Sequence, residues 1–230
     1  MTCIAIIPAR GGSKRIPRKN IRDFLGKPII AYSIEAALAS GLFDEVMVST
    51  DDNEIAEVAR QYGAKVPFLR SENASSDYAT TAQVLEEVLG SYSAAGQMFD
   101  IACCLYPTAP FVSGELLGAG FAKLVSGGHN SVFPVLRYSY PIWRSLKIEE
   151  GRAVLNWPEF LNSRSQDLPA AFHDAGQFYW FQVKAFAEHK VLFTDNSGIL
   201  ELSEMQVQDI DTETDWKLAE LKYKLLHNID

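Results

Sequence analysis

The residues best suited to chemistry gather at two places almost two hundred positions apart. Near the amino end, Arg10, Lys14, Arg15, Arg18, Lys19 and Arg22 supply six cations before the first acid, Asp23, in a chain whose net charge is -8. Gly11 and Gly12 sit among them. Without Cβ atoms they let the backbone take positive φ and approach a ligand closely, and successive peptide N–H groups in such a turn form an anion cradle. Arg10 and Lys14 add charge-assisted hydrogen bonds. A compact cationic turn on an acidic protein is an address for a small polyanion; nucleic acid calls for a wider basic face, so no nucleic-acid partner is expected. The turn is neither a Walker A loop, having no glycine five residues before Gly12, nor a G-x-G-x-x-G fingerprint. Near the other end stand Asp209 and Asp211. In an extended segment both carboxylates share one face while Ile210 enters the core. Such a pair suits Mg²⁺, which takes few protein oxygens and completes its shell with water and phosphate. The competing reading, a pair of capping acids ahead of Thr212, is the weaker, because Asp-x-Asp falls where a strand should end on the ligand rim.

Three further groups stand between these. Arg70 closes a short apolar run and leads into a polar loop holding Asp77 and Thr81. An arginine at a strand end offers a planar fork of donors to a ligand. Asp77 reads equally as a ligand-side acid and as the N-cap of the next helix. Tyr106-Pro107-Thr108-Ala109-Pro110 follows a buried run, and its two prolines make a rigid rim loop. Finally, Arg164 and His173 precede a strand in which Gln177 and Tyr179 alternate with Phe178 and Trp180, so one face can offer Gln177 and Tyr179 to a polar ligand.

The elements that must hold these groups alternate strand and helix. Strands are predicted at 3–7, 45–49, 66–69, 101–105, 131–136, 176–181, 186–192 and 199–202. Helices are predicted at 28–39, 53–62, 79–93, 113–125 and 212–226. This order predicts a single α/β domain over residues 1–230 with a mostly parallel sheet and right-handed crossovers. Ligands then sit beyond the carboxyl ends of the strands, which puts the loops after Ile7, Leu69 and Leu105 on one rim. Residues 137–175 are rich in aromatics, including Tyr138, Tyr140, Trp143 and Trp157. They read as an excursion from the sheet, with a hairpin around Glu149-Glu150-Gly151, that serves a homodimer interface. At 230 residues and 47% hydrophobic the chain can bury a sizeable core. No apolar run is long enough to span a membrane and no signal peptide is read, so a cytoplasmic protein is expected. Cys3, Cys103 and Cys104 form no disulfide or metal pattern and read as buried thiols, with Cys103 and Cys104 on opposite faces of a strand.

Taken together, Pro8-Ala9-Arg10-Gly11-Gly12-Ser13-Lys14, then Pro17 and Lys19-Asn20, resemble the opening motif of the cytidylyltransferases that make CMP-activated acidic sugars. The stretch from Lys14 to Asn20 and the segments around Arg164 and His173 are most similar to the pseudaminic acid branch. The resemblance implies a Rossmann-like sheet of the nucleotide-diphospho-sugar transferase type and a reaction of CTP with an acidic nine-carbon sugar, pseudaminic acid before N-acetylneuraminic or legionaminic acid. It implies that Arg10, Gly11, Gly12, Ser13, Lys14 and Lys19 hold the triphosphate, and that Asn20, Arg70, Asp77, Thr81, Pro107 and Thr108 lie on the nucleoside side. It further implies that Asp209 and Asp211 bind Mg²⁺, and that Tyr106, Arg164, His173, Gln177 and Tyr179 face the sugar. Lys14, Arg10 and Asp211 are the expected catalytic groups. Where this family usually carries Gln-Pro-Thr-Ser-Pro, the chain has Tyr106 in place of the glutamine, and a phenol cannot copy the donor and acceptor of an amide. A non-catalytic nucleotide-binding module is the alternative from another class.

Overall fold

In a computed structural model describing residues 1–76 and 78–229, the chain runs through β1 (Cys3–Pro8), β2 (Asp23–Phe24), β3 (Lys27–Pro28), α1 (Ile29–Ser40), β4 (Glu45–Ser49), α2 (Asn53–Gln61), α3 (Glu72–Ser75), α4 (Thr81–Ala94) and β5 (Ile101–Leu105). It continues through α5 (Gly114–Gly127), β6 (Ser131–Arg137), β7 (Leu146–Glu149), β8 (Arg152–Leu155), β9 (Phe172–Asp174), β10 (Phe178–Gln182), α6 (Val183–His189), β11 (Ser197–Leu202) and α7 (Glu213–His227). The main sheet has seven strands in the order β11-β6-β10-β5-β1-β4, with β9 also pairing β6. β1 lies between parallel neighbours β4 and β5, and β11 is parallel to β6.

The period of two along each strand splits the core. Cys3, Ala5 and Ile7 face one layer with Ile30, Ile34, Val48, Ile55 and Leu117, under α1, α2 and α5. Ile4 and Ile6 face the other with Met47, Leu85, Val88 and Phe181, under α4 and α6. Cys103 joins the first layer and Cys104 the second, as their adjacency requires, and all three cysteines are buried and unpaired. A third cluster, Ile16, Phe24, Ile29, Ile210 and Trp216, fastens the end of the cationic loop to the segment before α7.

The sheet is mostly parallel as expected, and two of the predicted strands are not found. β10 runs antiparallel to both β5 and β6, so the sheet is mixed although most of its strands point one way. A parallel neighbour needs a crossover; β10 instead arrives from the excursion through β9, which already pairs antiparallel with β6. Between them Gly176 takes φ 62, a left-handed turn that suits glycine. Residues 66–69 form no strand: after a single bridge from Lys65 to Met47 the ladder stops at Pro67, which has no N–H to give. Residues 186–192 are not a strand either, since α6 covers most of them and turns its Phe186 onto Phe181, ring centroids 5.0 Å apart. The β7–β8 hairpin forms as expected.

Two glycines of α5 give a paired stability prediction. A Cβ at Gly120 would stand 2.8 Å from Trp180 Cδ1 and 3.0 Å from Phe178 Cε2, whereas one at Gly118 meets open space. Alanine gains roughly 1 kcal/mol over glycine in a helix, while overpacking costs about 1–3 kcal/mol. Gly118→Ala should therefore raise the urea midpoint and Gly120→Ala lower it, at unchanged slope. A rise in both would show that α5 does not press on β10 as described.

Candidate active site

The carboxyl end of β1 opens into the cationic loop, which crosses to the chain's far end. Lys19 Nζ donates to the Ile210 carbonyl at 2.6 Å and stands 3.6 Å from Asp211 Oδ1, while Arg15 Nη1 lies 2.8 Å from Asp211 Oδ2. Arg22 adds a pair with Glu213 at 2.5 Å and lies over the Trp216 ring, 4.6 Å from its centroid. The two regions singled out at opposite ends of the sequence are thus in contact. The N-cap of α7 is Thr212, which forms a reciprocal box with Asp215. Asp211 therefore keeps its carboxylate for the loop's cations and is not the cap. Ile210, buried to 1% between the two acids, anchors them. Burial first, and then the charge of Asp211, raises the Asp209 carboxyl above its ordinary range.

Beside this junction lies an open cavity of about 510 Å³. Arg10, Ser13, Lys14, Arg15, Lys19 and Asn20 line it from the first loop, Arg70, Ser76 and Thr81 from the second, and Tyr106, Pro107 and Thr108 from the third. All three loops predicted to share a rim meet here. Asn20 is buried and donates from Nδ2 to the Arg10 carbonyl at 2.9 Å, bracing the turn from inside. Arg70, 8% exposed, spends Nε on Ser49 Oγ (3.1 Å) and Nη2 on the Ser49 carbonyl (2.6 Å). These bonds fix the plane of its guanidinium in the cavity wall. Burial lowers its proton affinity, yet it remains a cation. The Tyr106 hydroxyl stands 3.5 Å from Thr81 Oγ1. Its backbone is held on both sides, the N–H by the Gln177 carbonyl at 2.8 Å and the carbonyl by Ser33 Oγ at 2.8 Å.

The glycines act differently from the expectation. Neither Gly11 nor Gly12 has positive φ; the left-handed residue of the loop is Arg18, at φ 56. Gly11 is required instead because a Cβ there would lie 2.7 Å from Asp52 Oδ2. Asp77 lies outside the described residues; the cap of α4 is Thr80, boxed with Gln83.

The residues expected to face a sugar are spread out. Tyr106 lines the cavity, and the Tyr179 ring sits 5.5 Å from that of Tyr106. Tyr179 is only 3% exposed and donates its hydroxyl to Asp174; burial pushes its proton affinity up. Gln177 is also buried, its Nε2 donating to the Gln206 carbonyl at 2.5 Å, and its Oε1 is the one buried side-chain polar atom without a partner among the described residues. Arg164 pairs with Asp167 at 2.7 Å on the surface, and the His173 ring packs on Tyr138 at 4.9 Å. Neither lines the second cavity, of about 460 Å³ on the excursion side, whose walls include Tyr138, Ser165, Gln166 and Glu204. Sequence reasoning gave no specific role to Arg15 or Arg18, whose only signal was membership of a charge run; Asp51-Asp52 read only as acids capping the helix from Asn53, a role that Asp52 fills.

A family model described as cytidylyltransferase matches residues 4–197. The chain is 46% identical over 228 residues to the pseudaminic acid cytidylyltransferase of Campylobacter jejuni, covering 99% of this chain and 98% of that one. It is 35% identical over 229 residues to the CMP-N,N'-diacetyllegionaminic acid synthase of Legionella pneumophila, covering 96% and 95%. Among solved structures it superposes on CMP:2-keto-3-deoxy-manno-octonic acid synthetase complexed with CTP, with TM-score 0.72, 18% identity and coverage of 99% and 100%, which shows a shared fold. The fold and the match together define a nucleotidyltransferase-type α/β protein. The chain belongs to the family of CMP-acidic-sugar cytidylyltransferases.

Proposed function

We propose that this protein joins CTP to pseudaminic acid, releasing pyrophosphate and the CMP-sugar. The observation that carries the reading is the contact of Asp211 with Arg15 and Lys19, two cations of the loop that also line the cavity. The sugar assignment leans on the near full-length identity to the Campylobacter jejuni enzyme. Arg10, Gly11, Gly12, Ser13, Lys14 and Lys19 take the triphosphate. Arg70, with part of its fork held by Ser49, turns its remaining donor capacity towards the O2 and N3 acceptors of cytosine, and Thr81 and Thr108 flank the nucleoside. Tyr106 stands between base and sugar, and Arg164, His173, Gln177 and Tyr179 belong to the sugar side.

Asp209 and Asp211 fit a divalent cation such as Mg²⁺. They are hard oxygen donors two residues apart, and Asp209, whose proton affinity burial first and then the charge of Asp211 raise, would be held ionised by a cation. When bound, the ion supplies positive charge opposite the phosphates. Asp211 accepts the proton of the sugar's anomeric hydroxyl as that oxygen attacks the α-phosphorus. Lys14 and Arg10 stabilise the charge that develops on the α-phosphate and on departing pyrophosphate.

Purified protein supplied with CTP, Mg²⁺ and each of pseudaminic, N-acetylneuraminic and legionaminic acid tests this. Pyrophosphate release with pseudaminic acid is expected. Release with another sugar alone reassigns the substrate, and release with none leaves a non-catalytic nucleotide-binding module.

The reading includes one domain over residues 1–230 and a cytoplasmic location, in keeping with three buried, unpaired thiols. Among the described residues no helix is long and apolar enough to cross a membrane. It also includes a homodimer formed through the excursion, where Tyr140 is 84% and Ile148 81% exposed. Ile148→Asp should shift the mass measured by light scattering from two chains to one. A wild-type protein already at one chain would end the dimer reading.

A further inference from the structure

We propose that Arg18 and Asp52 form a latch that closes the cationic loop on the end of α2 and thereby positions Lys19 and Arg15 at the nucleotide mouth. The inference rests on the cytidylyltransferase reading above and adds two positioning residues that touch no substrate in it.

Four observations converge. Arg18 occupies the left-handed region, φ 56 and ψ 27, which its Cβ disfavours, although two glycines stand in the same loop. A residue with a side chain is held there, so the side chain is what the position uses. That side chain forks onto one carboxylate: Nη1 donates to Asp52 Oδ2 at 2.5 Å and Nη2 to Asp52 Oδ1 at 3.2 Å, and Nη2 also meets Glu54. A two-point contact fixes orientation as well as distance.

The anchor is itself rigid. Asp52 is the N-cap of α2, its Oδ1 accepting from the N–H groups of Glu54 (2.9 Å) and Ile55 (3.0 Å), and Ile55 and Ala56 are each buried to 1%. The near end of the loop is pinned at the same turn. Gly11 N–H donates to Asp51 Oδ1 at 2.9 Å, and the Gly11 Cα lies so close to Asp52 that any Cβ would collide with it.

Both ends of the segment from Gly11 to Arg18 are therefore tied to Asp51-Asp52, with Lys14 and Arg15 on the closed loop between them. Arg18 also opens the 3-10 turn of Lys19–Ile21, its carbonyl accepting from Ile21 N–H at 3.0 Å. Lys19 follows directly, and from there it reaches Ile210 and Asp211. Neither Arg18 nor Asp52 lines the cavity, so the latch acts through the residues it holds.

Asp52→Asn separates latch from cap, because asparagine caps a helix as well as aspartate does but lacks the charge. It is expected to leave the melting temperature nearly unchanged. The KM for CTP should rise about tenfold to 10²-fold, the scale of a small misplacement of binding groups, with the KM for sugar unmoved. Arg18→Met should do the same, and the double variant no worse than either single one. Arg18→Gly, which restores an easy left-handed backbone without the fork, should remain impaired. Hydrogen exchange of the amides of residues 12–19 should quicken in Asp52→Asn while those of α2 hold, a result read without turnover. Wild-type KM for CTP and unchanged exchange in Asp52→Asn and Arg18→Met would overturn the latch. So would losses that add in the double variant and follow the melting temperature. If the wild-type protein itself releases no pyrophosphate, the functional reading fails instead, and exchange alone decides whether the latch exists.

Discussion

Asp211→Ala is expected to lower turnover by about 10²–10³-fold, the usual scale for deleting one electrostatic group from a reacting centre. The fold should survive. The N-terminus of α7 is capped by Thr212 and Asp215, and the segment before it is anchored by the buried Ile210, so neither depends on the Asp211 carboxylate. The variant leaves Arg15 and Lys19 without the acid they now share. Both then remain available to phosphate oxygens, so the KM for CTP should stay level or fall while kcat drops. That split marks a group needed in the transition state more than in binding. Asp211→Asn keeps the shape without the charge and should lose nearly as much. Lys14→Ala should fall on the same order, but through poorer stabilisation of the phosphates. Steady-state kinetics with CTP and pseudaminic acid, beside a thermal melt, test all three. Near-wild-type kcat in Asp211→Ala would remove the carboxylate from the proposed mechanism.

How much of this was legible in the amino-acid order depends on distance along the chain. β1 and the cationic loop could be read because an apolar run, two glycines and a cluster of cations are all local. The facing of Cys103 and Cys104 followed from the period of a strand alone. The burial of Ile210 between Asp209 and Asp211 was visible for the same reason.

What could not be read was set by partners far away in sequence. Nothing in Phe178 to Phe181 tells whether the strand runs with or against β5, since direction is decided by the route the chain takes through the excursion. Gly11 was expected to serve by its φ, but it serves by the space it leaves for Asp52, forty-one residues on. Arg15 and Arg18 looked interchangeable within a charge run. One answers Asp211 and the other Asp52, and only the folded chain distinguishes them. The buried Tyr179 shows the limit of alternation: the period gave its face, but not that a neighbouring aromatic layer would close over it.

Trp180→Ala is expected to cost about 3–5 kcal/mol, the usual range for deleting a large aromatic from a close-packed core. Trp180 lies on β10, the strand that joins the two halves of the sheet, and pairs with Cys103 on one side and Val132 on the other. Its side chain is fully buried, and its Nε1 donates to the Leu117 carbonyl at 3.1 Å. It stacks on Phe43, centroids 4.9 Å apart and planes within 6°, and meets Phe121 at 5.2 Å. Gly120 closes over it so tightly that no side chain fits between. A cavity here cannot collapse easily, because α1, α5 and β10 are each held by their own backbone ladders. For a chain of this size the loss corresponds to a fall of roughly 6–20 °C in melting temperature, a large share of a total stability on the order of 5–15 kcal/mol. Trp180→Phe keeps the stacking and loses the N–H, so it should cost much less. Trp143, in the excursion with its ring against Trp157 at 5.4 Å, is the control: Trp143→Ala leaves the sheet untouched and should shift the melt far less. Equal losses at the two positions would mean that the core does not centre on β10. A Trp180→Ala protein that keeps its melting temperature would show that α5 can settle into the gap, against the close contact at Gly120 on which the packing argument rests.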